Sequence, residues 1–413
     1  MRLLLSLSVL VGGLASFTCA LPAVAARADG SFSLVANAAA FTFEYSTTKP
    51  NSKNWIGIYH ASGGGPDNQK QVQPSLRWKY TPGSKGTIQI DAPIGARGKF
   101  KAYFLANDGY QWIASPIEIT AKGDGPGAGD PSELKIVTFN LWHGGTKVNN
   151  YHAKQVQFIT EQGVDIVGLQ EATGDHAKRL GDALGWNYHQ DNGQNSVGII
   201  SRHPIAQKHA NIGKASGVTI NLNGDSSKAL NFWSAHLTAY PYGPYEFCFE
   251  KKSAADVTKA EASSGRTPQI TEIIEKTKAQ RDSGKPFILV GDFNAPSHLD
   301  YTSATANAHC GTGSFAWPTS KIPTDAGLVD SFRVANPNPV QTPGNTWSPL
   351  FKQNTDENAA EPQDRIDFIY GSKNLQVLRS ETKVKGTPQL APNYANNEWT
   401  SDHSVVITTY KMI

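Results

Sequence analysis

Acidic, amide and imidazole side chains recur in this sequence where apolar runs stop. Asn140 follows IVTF, Glu171 follows VGLQ, His236 follows FWSA, Asp292 and Asn294 follow FILVG, Asp367 sits inside RIDFIY, and Asp402 with His403 precedes SVVI. The clearest case is residues 287–296, FILVGDFNAP. Residues 287–290 read as a strand buried on both faces, and Gly291 permits a sharp exit from it. A carboxylate and a carboxamide two residues apart on a sheet rim suit a site that holds a phosphate and activates a water. The same pair also suits an Asx turn. One such strand end is ordinarily a surface or capping residue; six together call for a common site.

The elements that must position them alternate in type. LKIVTFNLW, a helical stretch near residues 153–162, VDIVGLQE, a second near 175–184, SVGIISRHPI, ALNFWSAHL, a third over 268–279, FILVGDFNAP, RIDFIYG and SVVITTY predict an α/β domain over residues 133–413. Residues 27–120 differ. Their short β-type runs, broken by Gly-Gly-Gly at 63–65 and Pro-Gly at 82–83, predict a small all-β sandwich. Trp55, Trp78 and Trp112 within it read either as a ligand face or as buried sandwich side chains. Residues 121–132, AKGDGPGAGDPS, have almost nothing to bury and read as a linker.

The 413 residues carry a formal charge of +3 and are 39% hydrophobic. That excludes a disordered chain and is too weakly basic to name a nucleic-acid partner. Residues 1–26 read as a secretory signal peptide: Arg2, a short apolar run, then small residues ending at Ala26. No later apolar run reaches the ~18 residues a membrane span needs, so the expected location is extracellular. Of three cysteines, Cys19 leaves with that segment, and Cys248 and Cys310 remain as a disulfide candidate.

TFNLW, LQE, SAHL, GDFNAP, GLVDSFR, TW, DRIDFIY and SDHSVV, in that order, resemble the endonuclease/exonuclease/phosphatase superfamily over residues 133–413. The resemblance implies a four-layer fold, two packed β-sheets flanked by helices, hydrolysing phosphate esters with Mg2+ or, as a substitute, Mn2+. It implies Glu171 as a metal ligand, with Asn140 beside it and Asp402 contributing directly or through water. Such a sparse set suits magnesium, which takes oxygen donors and keeps several waters. By the same resemblance Asp292 orients or deprotonates the attacking water and Asn294 contacts the phosphate. His403 faces the scissile phosphate, with Asp367 as the carboxylate that keeps its imidazole charged.

His236 stands where abasic-site endonucleases usually have tyrosine and where pancreatic-type deoxyribonucleases, sphingomyelinases and inositol phosphatases have histidine. It is the candidate general acid. The segment after it, TAYPYGPYEFCFE, brings Tyr240 and further aromatics near the site. Arg202 and Arg365 are candidates for substrate phosphates, or for buried ion pairs. NWIGIY and KAYFLANDGY resemble the SKICH-like sandwiches that precede some inositol phosphatases. The expectation is a secreted, magnesium-dependent phosphoesterase acting on phosphodiester bonds in a nuclease-like way. The alternatives are a phosphatase or phospholipase C-type enzyme on inositol phosphates or sphingomyelin, and a catalytically silent binding protein. No stable protein partner is implied.

Overall fold

The structure, a computed structural model, describes residues 29–35, 41–61, 65–72, 75–91, 97–122, 132–191 and 196–412. The expected signal peptide at 1–26 and residues 123–131 of the expected linker lie outside them. The N-terminal part is all-β, with seven strands: β1 (Gly30–Leu34), β2 (Thr42–Thr47), β3 (Trp55–His60), β4 (Arg77–Tyr80), β5 (Lys85–Gln89), β6 (Arg97–Leu105) and β7 (Trp112–Lys122). They form two antiparallel sheets, β1-β2-β5 and β4-β3-β6-β7. Alternation along each strand sends Phe43, Ile56, Ile58, Phe100 and Phe104 into one apolar core. On the opposite face of β4-β3-β6-β7, Trp55 is buried in a second cluster with Tyr59, Tyr103 and Leu105 and Trp112 packs partly buried against it, but Trp78 is 53% exposed, so the three tryptophans do not share one environment.

From Glu133 the chain builds two six-stranded sheets. The first takes β8 (Glu133–Asn140), β9 (Ile166–Gln170), β10 (Asn187–Gln190), β11 (Gly198–Ser201), β18 (Val377–Lys383) and β19 (Val405–Lys411), in the order β10-β11-β9-β8-β19-β18. The second takes β12 (Ile205–Lys208), β13 (Ala215–Asn221), β14 (Ala229–His236), β15 (Phe287–Asp292), β16 (Val329–Asp330) and β17 (Asp367–Gly371), in the order β12-β13-β14-β15-β17-β16. Leu134, Ile136 and Val406 of the first sheet meet Phe232, Ile288 and Val290 of the second in one apolar core. Each such buried side chain contributes about 1.5–3 kcal/mol. The sheets press so closely that a Cβ on Gly168 would meet Val290 Cγ2 at 2.2 Å.

Helices cover the outer faces. On the first sheet lie α1 (Tyr151–Glu161) and α2 (His176–Leu184), whose Ala177, Leu180 and Leu184 recur at helical spacing and pack on Phe139, Val167 and Leu169. Gly185, in the left-handed conformation, ends α2. On the second sheet a helix over Arg266–Lys276 lays Ile270, Ile273 and Ile274 against Trp233 and Leu289. The result is the expected four-layer α/β arrangement. A helix over Ala254–Ser263 has no counterpart in the sequence reading, because its small and charged residues give only a weak apolar stripe. Gly291 does not turn the chain out of the sheet: β15 runs on to Asp292, and a Cβ at 291 would meet the Ala235 carbonyl oxygen at 2.1 Å. The glycine is there for the close approach of β14.

Candidate active site

Strand direction explains why the polar strand ends meet. β8 with β9, and β14 with β15, run parallel, so Asn140, Gln170, His236 and Asp292 all stand at carboxyl ends. β17 and β19 run antiparallel to these, so their beginnings lie on the same rim. Register then sets His236 opposite Asp292 and Asp292 opposite Asp367, a row of three reactive side chains across three neighbouring strands. The loop before β19 is pinned by Ser401, whose hydroxyl donates to the Asn140 carbonyl at 2.6 Å and accepts the His403 N–H at 3.0 Å.

His403 Nδ1 lies 2.9 Å from Asp367 Oδ2. Its Nε2 is 3.8 Å from Asp292 Oδ2 and 3.9 Å from Asp402 Oδ1, and the ring borders a cavity of about 290 Å3. Burial alone would lower this imidazole, but the Asp367, Asp292 and Asp402 carboxylates hold it well above its ordinary value, so it is charged. Asp292 is almost inaccessible, and burial, with the Asp367 carboxylate adding to it, pushes its carboxyl up to about 7. Its Oδ1 accepts the Asn294 N–H at 2.8 Å and its Oδ2 accepts from Asn140 Nδ2 at 2.9 Å. His236 Nε2 is 3.7 Å from Asp292 Oδ2, and Ser196 Oγ is 3.2 Å from its Nδ1. Burial takes His236 down to about 4, against the pull of Glu171.

Glu171, Asp402 and Asn294 face the same cavity. Glu171 Oε2 accepts the His143 N–H at 2.5 Å. Asp402 Oδ1 is buried with no hydrogen-bond partner, and burial, with Glu171 adding to it, pushes this carboxyl up to about 7. Three carboxyl groups (Asp292, Asp367, Asp402) therefore surround one imidazolium, and a fourth, Glu171, faces the same cavity. That surplus of oxygen donors, two of them (Asp367 Oδ1 and Asp402 Oδ1) buried without a hydrogen-bond partner, fits a hard divalent cation. Asp292, Asp367 and His403 also offer atoms within 4.8 Å of one another. His403 spends its Nδ1 proton on Asp367, and an imidazolium is no ligand, so this buried trio reads as a proton network.

Trp142, Tyr240, Tyr242, Tyr245 and Trp347 wall the cavity. Tyr240, 68% exposed, stands at its mouth. The segment that carries it is fixed by Arg266, which is fully buried, pairs with Glu261 and donates to the carbonyls of Thr238, Ala239 and Pro241. Cys248, at the end of the short helix Gly243–Cys248, is disulfide-bonded to Cys310. Five residues around the site hold left-handed backbone without being glycine: Trp142, His143, Glu171, Ser196 and Asn294. Such conformations cost of order 1–3 kcal/mol each and persist where surrounding contacts impose them.

The structure thus gathers His236, Asp292, Asn294, Asp367, His403, Glu171, Asp402 and Tyr240 at one place. Asn140 is there too, but its carboxamide holds Asp292 and the Trp142 N–H. Arg202 and Arg365 are elsewhere. Arg365 is fully buried between Asp300, at 2.9 Å, and Asp330, at 2.8 Å, and Arg202 lies beside Asp165 over the Trp186 ring. Sequence reasoning missed Trp142, His143, Ser196, Trp347 and Arg266. TW and TFNLW were in view as motifs, but nothing in their spacing says that Trp347 packs edge-on against His403.

The sequence profile of the Endonuclease/Exonuclease/phosphatase family matches residues 137–403. An uncharacterized Caenorhabditis elegans protein, F14F9.5, is 32% identical over 292 residues, covering 68% of this chain and 92% of the relative. Among solved structures, Danio rerio TDP2 complexed with a single-strand DNA product is 17% identical, with a TM-score of 0.46 over 68% of this chain and 99% of that one. An AP endonuclease from Archaeoglobus fulgidus is 15% identical, with a TM-score of 0.42 over 67% of this chain and 99% of that one.

Proposed function

The chain belongs to the endonuclease/exonuclease/phosphatase family, and on that premise we propose that it is a metal-dependent phosphoric ester hydrolase that prefers phosphodiesters. The observation that carries this reading is the chain of proton-bearing groups His236–Asp292–Asp367–His403, set along one rim of the site.

A phosphodiester in the cavity would meet the charged His403 Nε2–H, which Asp367 orients from behind. A fixed positive donor of this kind favours the transition state, where charge grows on the phosphoryl oxygens. Asp292, with a carboxyl near 7, is suited to take the proton of an attacking water as its oxygen bonds to phosphorus. As the ester P–O bond breaks, the departing oxygen needs a proton, and His236 is placed to pass one on from Asp292. His236 begins neutral, so this works as a relay through its ring and not as donation from a standing imidazolium. Glu171 and Asp402, with Asn140 beside them, are the residues that would hold Mg2+ or Mn2+, which when bound neutralises charge on the phosphate.

The decisive assay measures rates on plasmid DNA, RNA, sphingomyelin, inositol polyphosphates and a simple monoester, with Mg2+ and with chelator. Diester cleavage that chelator stops supports the proposal. Phosphate release from monoesters with every diester untouched would reverse the preference, and inactivity on the whole panel would favour a silent scaffold. We also propose export, supported by the signal-like residues 1–26; N-terminal sequencing of protein from culture medium that begins at Met1 would refute it.

A further inference from the structure

The outer face of the sheet β4-β3-β6-β7 carries aromatic rings where a solvated sheet face carries polar side chains. Ile56, Ile58, Phe100 and Phe104 point into the N-terminal core, and alternation turns Trp55, Tyr59, Tyr103 and Leu105 the opposite way. Trp78 pairs with Gly57 and Tyr80 with Trp55, so both ride on that outer face. Residues 65–69 cover one half of it: Trp112 Nε1 donates to the Pro66 carbonyl at 2.9 Å, and Tyr103 Oη donates to Asp67 at 2.7 Å. Over the other half Trp78 is 53% and Tyr80 40% exposed.

A cavity of about 350 Å3 opens there, lined by Trp55, Trp78, Tyr80, Tyr110, Gln71 and Ser75. Its rings stand nearly at right angles: 80° between Trp55 and Trp78, 82° between Trp55 and Tyr110, 77° between Trp78 and Tyr80. Edge-to-face contacts hold them as rigid walls at little entropic cost. Asp108, the carboxylate at the rim, is already paired with Lys53 at 2.9 Å and accepts from Tyr80 Oη at 2.8 Å. Among the described lining residues no charge is left to meet an ion. What remains is aromatic surface with the Val72 side chain, a carboxamide, a hydroxyl and a closed ion pair.

We propose that this cavity is a binding site for a neutral saccharide chain. A pyranose ring offers flat C–H faces to pack on indole and phenol rings, and hydroxyls that exchange hydrogen bonds with Gln71, Ser75 and Asp108. It carries no charge needing a counter-ion. A phosphate would find no free cation among the described lining residues, and a quaternary ammonium, which aromatic faces can hold without a counter-ion, is the competing ligand that the phosphatidylcholine arm of the test separates.

The test uses the full chain, by retention on insoluble cellulose, chitin, xylan and β-1,3-glucan and by tryptophan fluorescence with their soluble oligosaccharides. Retention on at least one is expected, little changed by salt up to about 0.5 M, because no ion pair forms with the ligand. Trp78→Ala and Tyr80→Ala should each weaken binding roughly tenfold or more, as loss of a large aromatic anchor does. Neither should change the hydrolysis rate on a soluble phosphoester. Trp78→Phe keeps a stacking face and should keep most of the binding, which guards against a misfolded alanine variant. No retention on any of the four, retention indifferent to Trp78→Ala, or loss in salt would overturn the proposal. So would tighter binding to phosphatidylcholine vesicles or proline-rich peptides than to any saccharide.

Discussion

Replacing Asp367 with asparagine keeps the shape of the site and removes one buried charge from beside His403 and Asp292. In the wild type Asp367 acts on both neighbours: it holds the His403 imidazole protonated and helps raise the Asp292 carboxyl to about 7. A charge at hydrogen-bond distance in a buried setting shifts a partner by about 1–3 pH units. The signs follow from the roles. His403 must be protonated to act, so the alkaline limb of the rate profile falls as pH rises through its pKa. With that pKa lowered, the limb moves to lower pH. Asp292 must be ionised to accept a proton, so the acidic limb rises through its pKa, and that limb moves to lower pH as well. The whole bell therefore shifts acid by about 1–3 units, and each unit on the alkaline side costs about tenfold in rate. The assay is kcat against pH from about 5 to 9 on a diester at saturating metal, for wild type, Asp367→Asn and His403→Ala. A uniform drop with both limbs unmoved would refute the account. His403→Ala should lack the alkaline limb altogether.

Glu171→Gln should weaken Mn2+ binding, read by paramagnetic relaxation of water, by at least the roughly 10- to 100-fold that losing an outer-shell partner costs; unchanged binding would place the metal elsewhere. His236→Gln should lose about 10²–10⁴-fold on alkyl diesters but little on nitrophenyl esters, whose leaving group needs no proton. Equal losses on both would exclude a role on the leaving side. Arg365→Met should destabilise the fold by about 3–5 kcal/mol in urea unfolding, because Asp300 and Asp330 lose a buried partner. The molecules that remain folded should keep their KM, whereas a raised KM at unchanged stability would return Arg365 to the substrate.

How much of this could be read from the chain depends on the range of the interaction. The strand ends were legible because period and burial are local: residues 287–290 look buried on both faces, and they are. That Glu171, Asp292 and His403 share a site also followed, since strands of one α/β fold end on common rims. What short-range signals cannot carry is the state of each group once it arrives. His236 read as a candidate general acid, but burial pushes its imidazole down to about 4, and its nearest carboxylate, Asp292 at 3.7 Å, comes from a different strand. Arg365 read equally well as a phosphate ligand or an ion-pair partner, and its two aspartates come from positions 65 and 35 residues away. Trp78 follows the same logic in the other direction. In sequence it reads either as a ligand face or as a buried sandwich side chain; it becomes a wall of an open cavity because β4 pairs with Gly57, which has no side chain to cover it, and because, among the described residues, Pro66 and Asp67 bond over the neighbouring half of the sheet. The sites hardest to see in a sequence are those made by what fails to cover them.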